Sequence, residues 1–189
     1  MDIPETLQQD FSGAPLRRDS LDPDPLKQFE SWFKQALESD YSAPNAVSLA
    51  TSSSNGEPSV RTVLVKQFDT EGFVFYTNYD STKATQIEQT PSVSLLFPWV
   101  QLGRQVIITG PAKKLSREAS ARYFHSRSRG SQLSAWTSQQ SRPVDSRREL
   151  EDALQEIEHR FSNDAVPLPQ FWGGYRVHVL TYEFWQSRP

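Results

Sequence analysis

RTVLVKQFDTEGFVFYTNYDSTK, residues 61–83, decides the fold. Val63 and Val65 alternate with Leu64 and Lys66, the period of a strand. Asp69-Thr70-Glu71-Gly72 reads as a turn, because Gly72 can take the positive φ that a tight reversal needs. Phe73 to Tyr76 resume as a β-rich run. Ser81 then stands as an N-cap with Lys83 behind it, opening a helix. Hydroxyls, backbone N–H groups and a Lys at a helix N-terminus suit a phosphate, and Arg61 and Lys66 add two cations on the neighbouring strand. The same residues also read as an ordinary hairpin with solvated charges, and both readings stay open at this point.

Outward from this stretch, the chain continues in β. AVSLATS (46–52) is a strand, Ser54-Asn55-Gly56 a hairpin turn, and Ser59 to Phe68 its partner. Ser92 to Trp99 is largely apolar, which predicts burial on both faces. Gln105 to Thr109 is a further strand, broken by Gly110-Pro111 and extended by Ala112 to Leu115. After the Pro/Gly-rich VPLPQFWGG the chain ends in one strand, with Tyr175, Val177, Val179 and Thr181 on one face. Gly173-Gly174 permits a bend or a close backbone approach. Short antiparallel strands at this spacing predict a closed barrel rather than a βαβ sheet.

Helices flank these strands. Pro25 at N1 opens one that runs through Ser39 and aligns Leu26, Phe29, Trp32, Phe33, Ala36 and Leu37. Ser116 to Ser126 is a short helix carrying Tyr123, Phe124 and His125. Ser146 and Glu149 form a capping box for a helix whose buried stripe is Leu150, Ala153, Leu154, Ile157 and Phe161. Between them, SRSRGSQLSAWTSQQSRP is too polar for core and rich in donors. Its arginines could suggest nucleic acid, but a net charge of −3 argues against that. A small-anion site built from Arg and Ser accounts for the same residues.

The chain's 189 residues suffice for one domain, assigned to 25–189, with residues 1–24 as a polar mobile arm. The absence of Cys excludes disulfides and thiolate metal sites, and is compatible with a reducing, cytoplasmic location. No apolar run approaches a membrane span, and MDIPETLQQDF lacks the apolar centre of a signal peptide. His125, His159 and His178 have no metal-site spacing. No GxGxxG or Walker loop appears.

RTVLVK, FYTN, the helix-opening S-x-K, SLLFPW, RQV, YFHSR, SQxxAW, QS, PLPxFWGGYRV and EFWQ follow one another in this order. The ordered set, over about residues 24 to 187, resembles the pyridoxamine 5′-phosphate oxidase family, FMN-dependent enzymes that make pyridoxal 5′-phosphate. The resemblance implies a mainly β protein with flanking helices, an FMN-binding split β-barrel of antiparallel Greek-key type. It further implies a homodimer with FMN at the subunit interface. It places Arg61, Thr62, Val63, Leu64, Val65 and Lys66 along the flavin, with Arg61 and Lys83 on the FMN phosphate. Tyr76 and Thr77 contact the flavin, and Gln105, Gln140, Ser141 and Trp185 complete its pocket, partly from the partner subunit. Lys66, Tyr123, Arg127 and Ser131 hold the phosphate of a pyridine substrate.

Three departures from the family pattern shape the expectations. Thr82 stands where the family usually has Arg, so FMN should bind more weakly. No Arg-Tyr lid matches in Met1 to Phe11. The family's Arg-Leu-His-Asp-Arg segment does not follow Trp185 before the sequence ends at Pro189. Two functions are therefore expected alternatives: an oxidase of pyridoxamine or pyridoxine 5′-phosphate, and a dimer that binds FMN or pyridoxal phosphate with little turnover. A broader flavin reductase of the same fold is disfavoured by YFHSR.

Overall fold

The computed structural model describes residues 15–162 and 164–187. Strands β1 (Ala46–Ser52) and β2 (Pro58–Asp69) pair antiparallel from Ala46↔Leu64 to Ser52↔Pro58, around a turn in which Gly56 has φ +86°. β3 (Gly72–Asn78) folds back on β2 with Asp69 opposite Gly72. Gly72 has φ +132°, and a Cβ there would lie 2.0 Å from the Val177 carbonyl oxygen, so glycine is required twice over. β4 (Ser92–Trp99), β5 (Arg104–Lys114), β6 (Trp172–Val177) and β7 (Thr181–Gln186) complete the sheet. The order β4-β1-β2-β3-β6-β5, with β5 returning to β4, closes a six-stranded antiparallel barrel, and β7 adds to the free side of β5.

Among the described residues five α-helices pack around it: α1 (Pro25–Glu38), α2 (Thr82–Gln89), α3 (Arg117–Ser126), α4 (Arg129–Thr137) and α5 (Arg147–Arg160). Asp24 caps α1 by accepting from the Leu26 N–H at 2.9 Å, ahead of Pro25. α1 buries Phe29, Trp32 and Ala36. The Phe29 ring meets those of Phe33, Phe68, Phe73, Phe97 and Trp99, which makes it the centre of the barrel core. A second cluster of Phe124, Leu133, Phe161, Val166 and Trp172 joins α3, α4 and the end of α5 to β6. Among the described residues no helix is long and apolar enough to cross a membrane.

Several local expectations are corrected. β5 is not broken at Gly110-Pro111 but turns a corner there. Arg104–Thr109 lies between β4 and β7, and Ala112–Lys114 pairs with β6. A Cβ on Gly110 would sit 1.8 Å from the His178 carbonyl oxygen, and Pro111 accepts from the His178 N–H. The terminal strand is two strands, because His178 and Leu180 hand their N–H groups to Pro111 and Thr109 as the chain crosses that corner. β4 buries only one face; Ser94, Leu96 and Pro98 stay half-exposed. The α5 stripe is thinner than expected: Leu150 is exposed, Leu154 and Ile157 are partly covered, and only Phe161 is buried. Ser146 caps α5 through the Glu149 N–H, but Glu149 reaches back to the Asp145 N–H instead of completing the box. The Ser/Gln-rich stretch holds the unforeseen helix α4. Of the expected arm, residues 15–24 are described, and Leu16 packs against the barrel core; the remainder lies outside the described residues.

Candidate functional site

A cavity of ≈ 570 Å³ lies where the outer face of β2, the end of β3, the start of α2 and the α3–α4 junction converge. Thr62, Val63, Leu64, Lys66, Tyr76, Thr77, Lys83, Tyr123, Arg127, Ser131 and Gln140 all line it. Residues as far apart in sequence as Thr62 and Gln140 thus face one space.

Lys66 owes its place to a bulge. Val65 pairs with Phe75, but Gln67 pairs with Val74, so Lys66 is the extra residue on β2. Such an insertion bends a strand and re-aims a side chain.

Lys83 forms one charged nest. It is only 7% exposed, and its Nζ donates to Thr77 Oγ1 at 3.2 Å, Ser81 Oγ at 3.3 Å and Gln140 Oε1 at 3.3 Å. All three acceptors are neutral. Burial, and secondly the charge of Arg61, lowers its pKa to about 8. Ser81 occupies the N-cap position of α2, yet its hydroxyl donates to the Asn78 carbonyl at 2.7 Å instead of capping. Its own carbonyl accepts from the N–H groups of Ala84 and Thr85.

Arg127 forms the other nest. Its guanidinium lies 4.8 Å from the centroid of the Trp172 ring, and Nη1 is buried with no hydrogen-bond partner among the described groups. Burial lowers its pKa from the ordinary arginine value. A buried N–H group of this kind costs free energy unless a ligand accepts from it. Ser128 caps α4, accepting from the Ser131 N–H at 3.4 Å and donating to Ser131 Oγ at 2.9 Å. Two hydroxyls thus stand at a helix N-terminus next in sequence to a guanidinium that has one N–H group unsatisfied among the described residues.

Between the nests runs an aromatic wall. The rings of Tyr76 and Tyr123 are 3.8 Å apart at 18°, and Trp172 is stacked 5.4 Å from Tyr76 at 12°. Burial raises the pKa of both tyrosines, which keeps them neutral. Gly173 and Gly174 let β6 approach: a Cβ on Gly173 would sit 2.2 Å from Tyr79 Oη, and one on Gly174 2.7 Å from Leu115 Cδ1.

Five expected residues lie elsewhere in the single chain. Arg61 does not line the cavity; its guanidinium is engaged by Thr51, Leu49, Ser59 and Gln86. Val65 is core. Ser141, next to Gln140, is exposed with φ +71°. Gln105 sits opposite Trp185 across β5 and β7, and Trp185, 49% exposed, lines a separate hollow with Leu16 and Phe184. Sequence reasoning missed Ser128, Ser134, Ser138, Asn78 and Trp172 on the cavity wall. Ser128 carried a usable signal, as the first hydroxyl of an S-x-x-S pair and itself flanked by Arg127 and Arg129.

Fold and cavity together define a split β-barrel protein with two cationic nests on an aromatic-walled cavity. The family model "Pyridoxamine 5′-phosphate oxidase" matches residues 33–161. The pyridoxine/pyridoxamine 5′-phosphate oxidase of Rippkaea orientalis is 56% identical over 189 residues, covering 100% of this chain and 89% of that protein. The one from Rubrobacter xylanophilus is 52% identical over 182 residues, covering 96% and 84%. Among solved structures, PhzG from Burkholderia lata, in complex with tetrahydrophenazine-1-carboxylic acid, superposes with a TM-score of 0.87 at 26% identity, over 94% of this chain and 88% of that one. A pyridoxamine 5′-phosphate oxidase-related, FMN-binding protein from Nostoc punctiforme shares the fold, with a TM-score of 0.67 at 17% identity over 88% and 85%. The chain belongs to the pyridoxamine 5′-phosphate oxidase family.

Proposed function

We propose that this chain is an FMN-dependent oxidase that converts pyridoxamine 5′-phosphate or pyridoxine 5′-phosphate to pyridoxal 5′-phosphate. O2 is the acceptor and H2O2 is released; the amine substrate also consumes water and releases ammonia. The observation that carries the reading is the pair of nests on one cavity. Among the described residues Lys83 has only neutral hydrogen-bond partners, and Arg127 offers a buried N–H group with none. FMN and the substrate each bring one phosphate and one flat ring, so two separate nests beside aromatic walls fit the pair.

On this reading Lys83 and Arg61 serve the FMN phosphate, and the β2 segment Thr62–Lys66, Tyr76, Thr77, Gln140 and Ser141 border the flavin. Gln105 and Trp185 come from the partner subunit of a homodimer. The half-exposed Trp185 and the exposed Val60 and Leu64 on β2 favour such an assembly, since it would cover them. FMN, held by these residues, would supply the two-electron redox chemistry that links substrate to O2. The chain's own work is to bind, orient and exclude water. Arg127, Ser131, Tyr123 and Lys66 anchor the substrate phosphate, which fixes the pyridine ring and presents its 4′-carbon in one orientation. The neutral Tyr76 and Tyr123 supply a flat apolar wall.

The test is aerobic incubation of FMN-loaded protein with each substrate, following pyridoxal 5′-phosphate and H2O2 together. Equal amounts of both support the proposal. Pyridoxal 5′-phosphate binding with neither product formed supports the binding-module alternative and contradicts it.

A further inference from the structure

Arg61 is held by an unusual set of partners. Its Nη1 donates to the Leu49 carbonyl at 3.3 Å, to the Ser59 carbonyl at 3.1 Å and to the Thr51 hydroxyl. Its Nη2 donates to Gln86 Oε1 at 3.3 Å. Every acceptor is neutral, so the guanidinium is fixed in place with its charge intact. Gln86 is the centre of this arrangement. It is 7% exposed on α2, three residues after Lys83 and on the same helical face. Its Oε1 also accepts from Thr51 Oγ1 at 2.6 Å, and its Nε2 donates to Ser59 Oγ at 3.0 Å. The amide is thus tied at both ends and cannot turn away from Arg61.

The identity of residue 86 matters for a physical reason. Arg61 is partly buried, and an arginine withdrawn from water is ordinarily paired with a carboxylate, which would satisfy it better than an amide. Here the side-chain carbonyl of Gln86 does the holding without cancelling the charge. Lys83 feels that charge, which is the second cause of its depressed pKa. Two uncompensated cations kept close together oppose folding, and a phosphate dianion at the start of α2 relieves both at once.

We infer that Gln86 is a positioning residue, holding Arg61 beside Lys83 at full charge so that the phosphate of the bound flavin nucleotide meets two cations instead of one. The inference rests on the reading that this nest receives the FMN phosphate, and it adds a residue that touches neither the cavity nor the ligand.

The experiment compares two ligands that differ only in the phosphate. Cofactor-free full-length protein is titrated with FMN and with riboflavin, following flavin fluorescence, for wild type, Gln86→Glu, Gln86→Leu and Lys83→Met. Gln86→Glu converts the holder into a counter-ion, so FMN affinity should fall about tenfold or more, the cost of a charge-assisted contact, with riboflavin affinity unchanged. Gln86→Leu leaves Arg61 charged but loosened, and FMN affinity should fall by less. A merely structural role for Gln86 would weaken both ligands alike, and that result overturns the inference, as does wild-type FMN affinity in Gln86→Glu. Lys83→Met separates the two failures. If it selectively weakens FMN while Gln86→Glu does not, the phosphate nest stands and Gln86 has no part in it. If it weakens FMN and riboflavin equally, the nest itself is misassigned and the inference falls with it. Should the Gln86 variants not fold, Thr51→Val keeps the shape of the site and removes the hydroxyl shared by Arg61 and Gln86. It should then weaken FMN severalfold and leave riboflavin alone, and equal effects on both would again overturn the inference.

Discussion

Lys83 offers a prediction with a sign and a midpoint. In the cofactor-free protein its pKa is about 8, lowered from the 10.5 of an ordinary lysine by burial and then by Arg61. A phosphate dianion favours the ammonium form. Below pH 8 that form is already present, so FMN affinity is independent of pH. Above pH 8 binding must take up a proton, so affinity falls as pH rises, by about tenfold between pH 7 and pH 9. Lys83→Met removes one charge-assisted contact, roughly 1.5–3 kcal/mol, or about 10- to 150-fold in affinity at neutral pH. It also removes the titrating group, so its profile should be flat and should approach the wild-type curve at high pH. The assay is flavin fluorescence titration of cofactor-free protein from pH 7 upward, above the second ionisation of the phosphate near about pH 6. A wild-type affinity that stays level across pH 8, or a variant that keeps the slope, refutes the assignment of Lys83 to the phosphate.

Arg127→Ala should raise the KM for pyridoxamine 5′-phosphate by at least about tenfold and weaken FMN binding far less than Lys83→Ala does, because Arg127 belongs to the other nest; titration and steady-state kinetics give the order. Thr82→Arg puts a third cation at the exposed start of α2 and should strengthen FMN binding severalfold without affecting riboflavin. Gly110→Ala forces a Cβ into the His178 carbonyl, 1.8 Å away, and should cost about 1–3 kcal/mol or more, seen as a Tm lower by roughly 3–10 °C. Phe29→Ala empties the centre of the aromatic core and should cost about 3–5 kcal/mol in denaturant unfolding, with no change in the slope of the transition.

The hairpin around Gly72 and the start of α2 were legible because alternation, a positive-φ turn and a helix start are local signals. The barrel's closure followed from strand spacing and from the resemblance. What escaped were features decided by partners distant in sequence. The bulge at Lys66 leaves no mark in RTVLVKQFD, since the register against β3 creates it. Gly110-Pro111 looks like a strand end, and only the pairing of β5 with β7 before it and β6 after it makes it a corner. Val177 to Leu180 keep strand composition while the backbone changes partner, so one strand was expected where two form. α4 mixes good helix formers with Gly130, Ser131, Ser134 and Thr137, has no apolar stripe to announce it, and is held by the Ser128 cap and the buried Leu133. At the site, residue types were readable but their division was not. Arg61 lies off the cavity wall with its guanidinium held by barrel acceptors, and the part of Gln86, twenty-five positions later, in holding it there leaves no local mark in the sequence.

The central claim is that this cavity lets a phosphorylated pyridine deliver two electrons to bound FMN. The most direct measurement mixes FMN-loaded protein with pyridoxamine 5′-phosphate in the absence of O2 and follows the visible absorbance of the flavin. The expected result is bleaching, one pyridoxal 5′-phosphate formed per flavin, and recovery of the band with H2O2 release when O2 is admitted. A spectrum that shifts on ligand binding but never bleaches would contradict the claim.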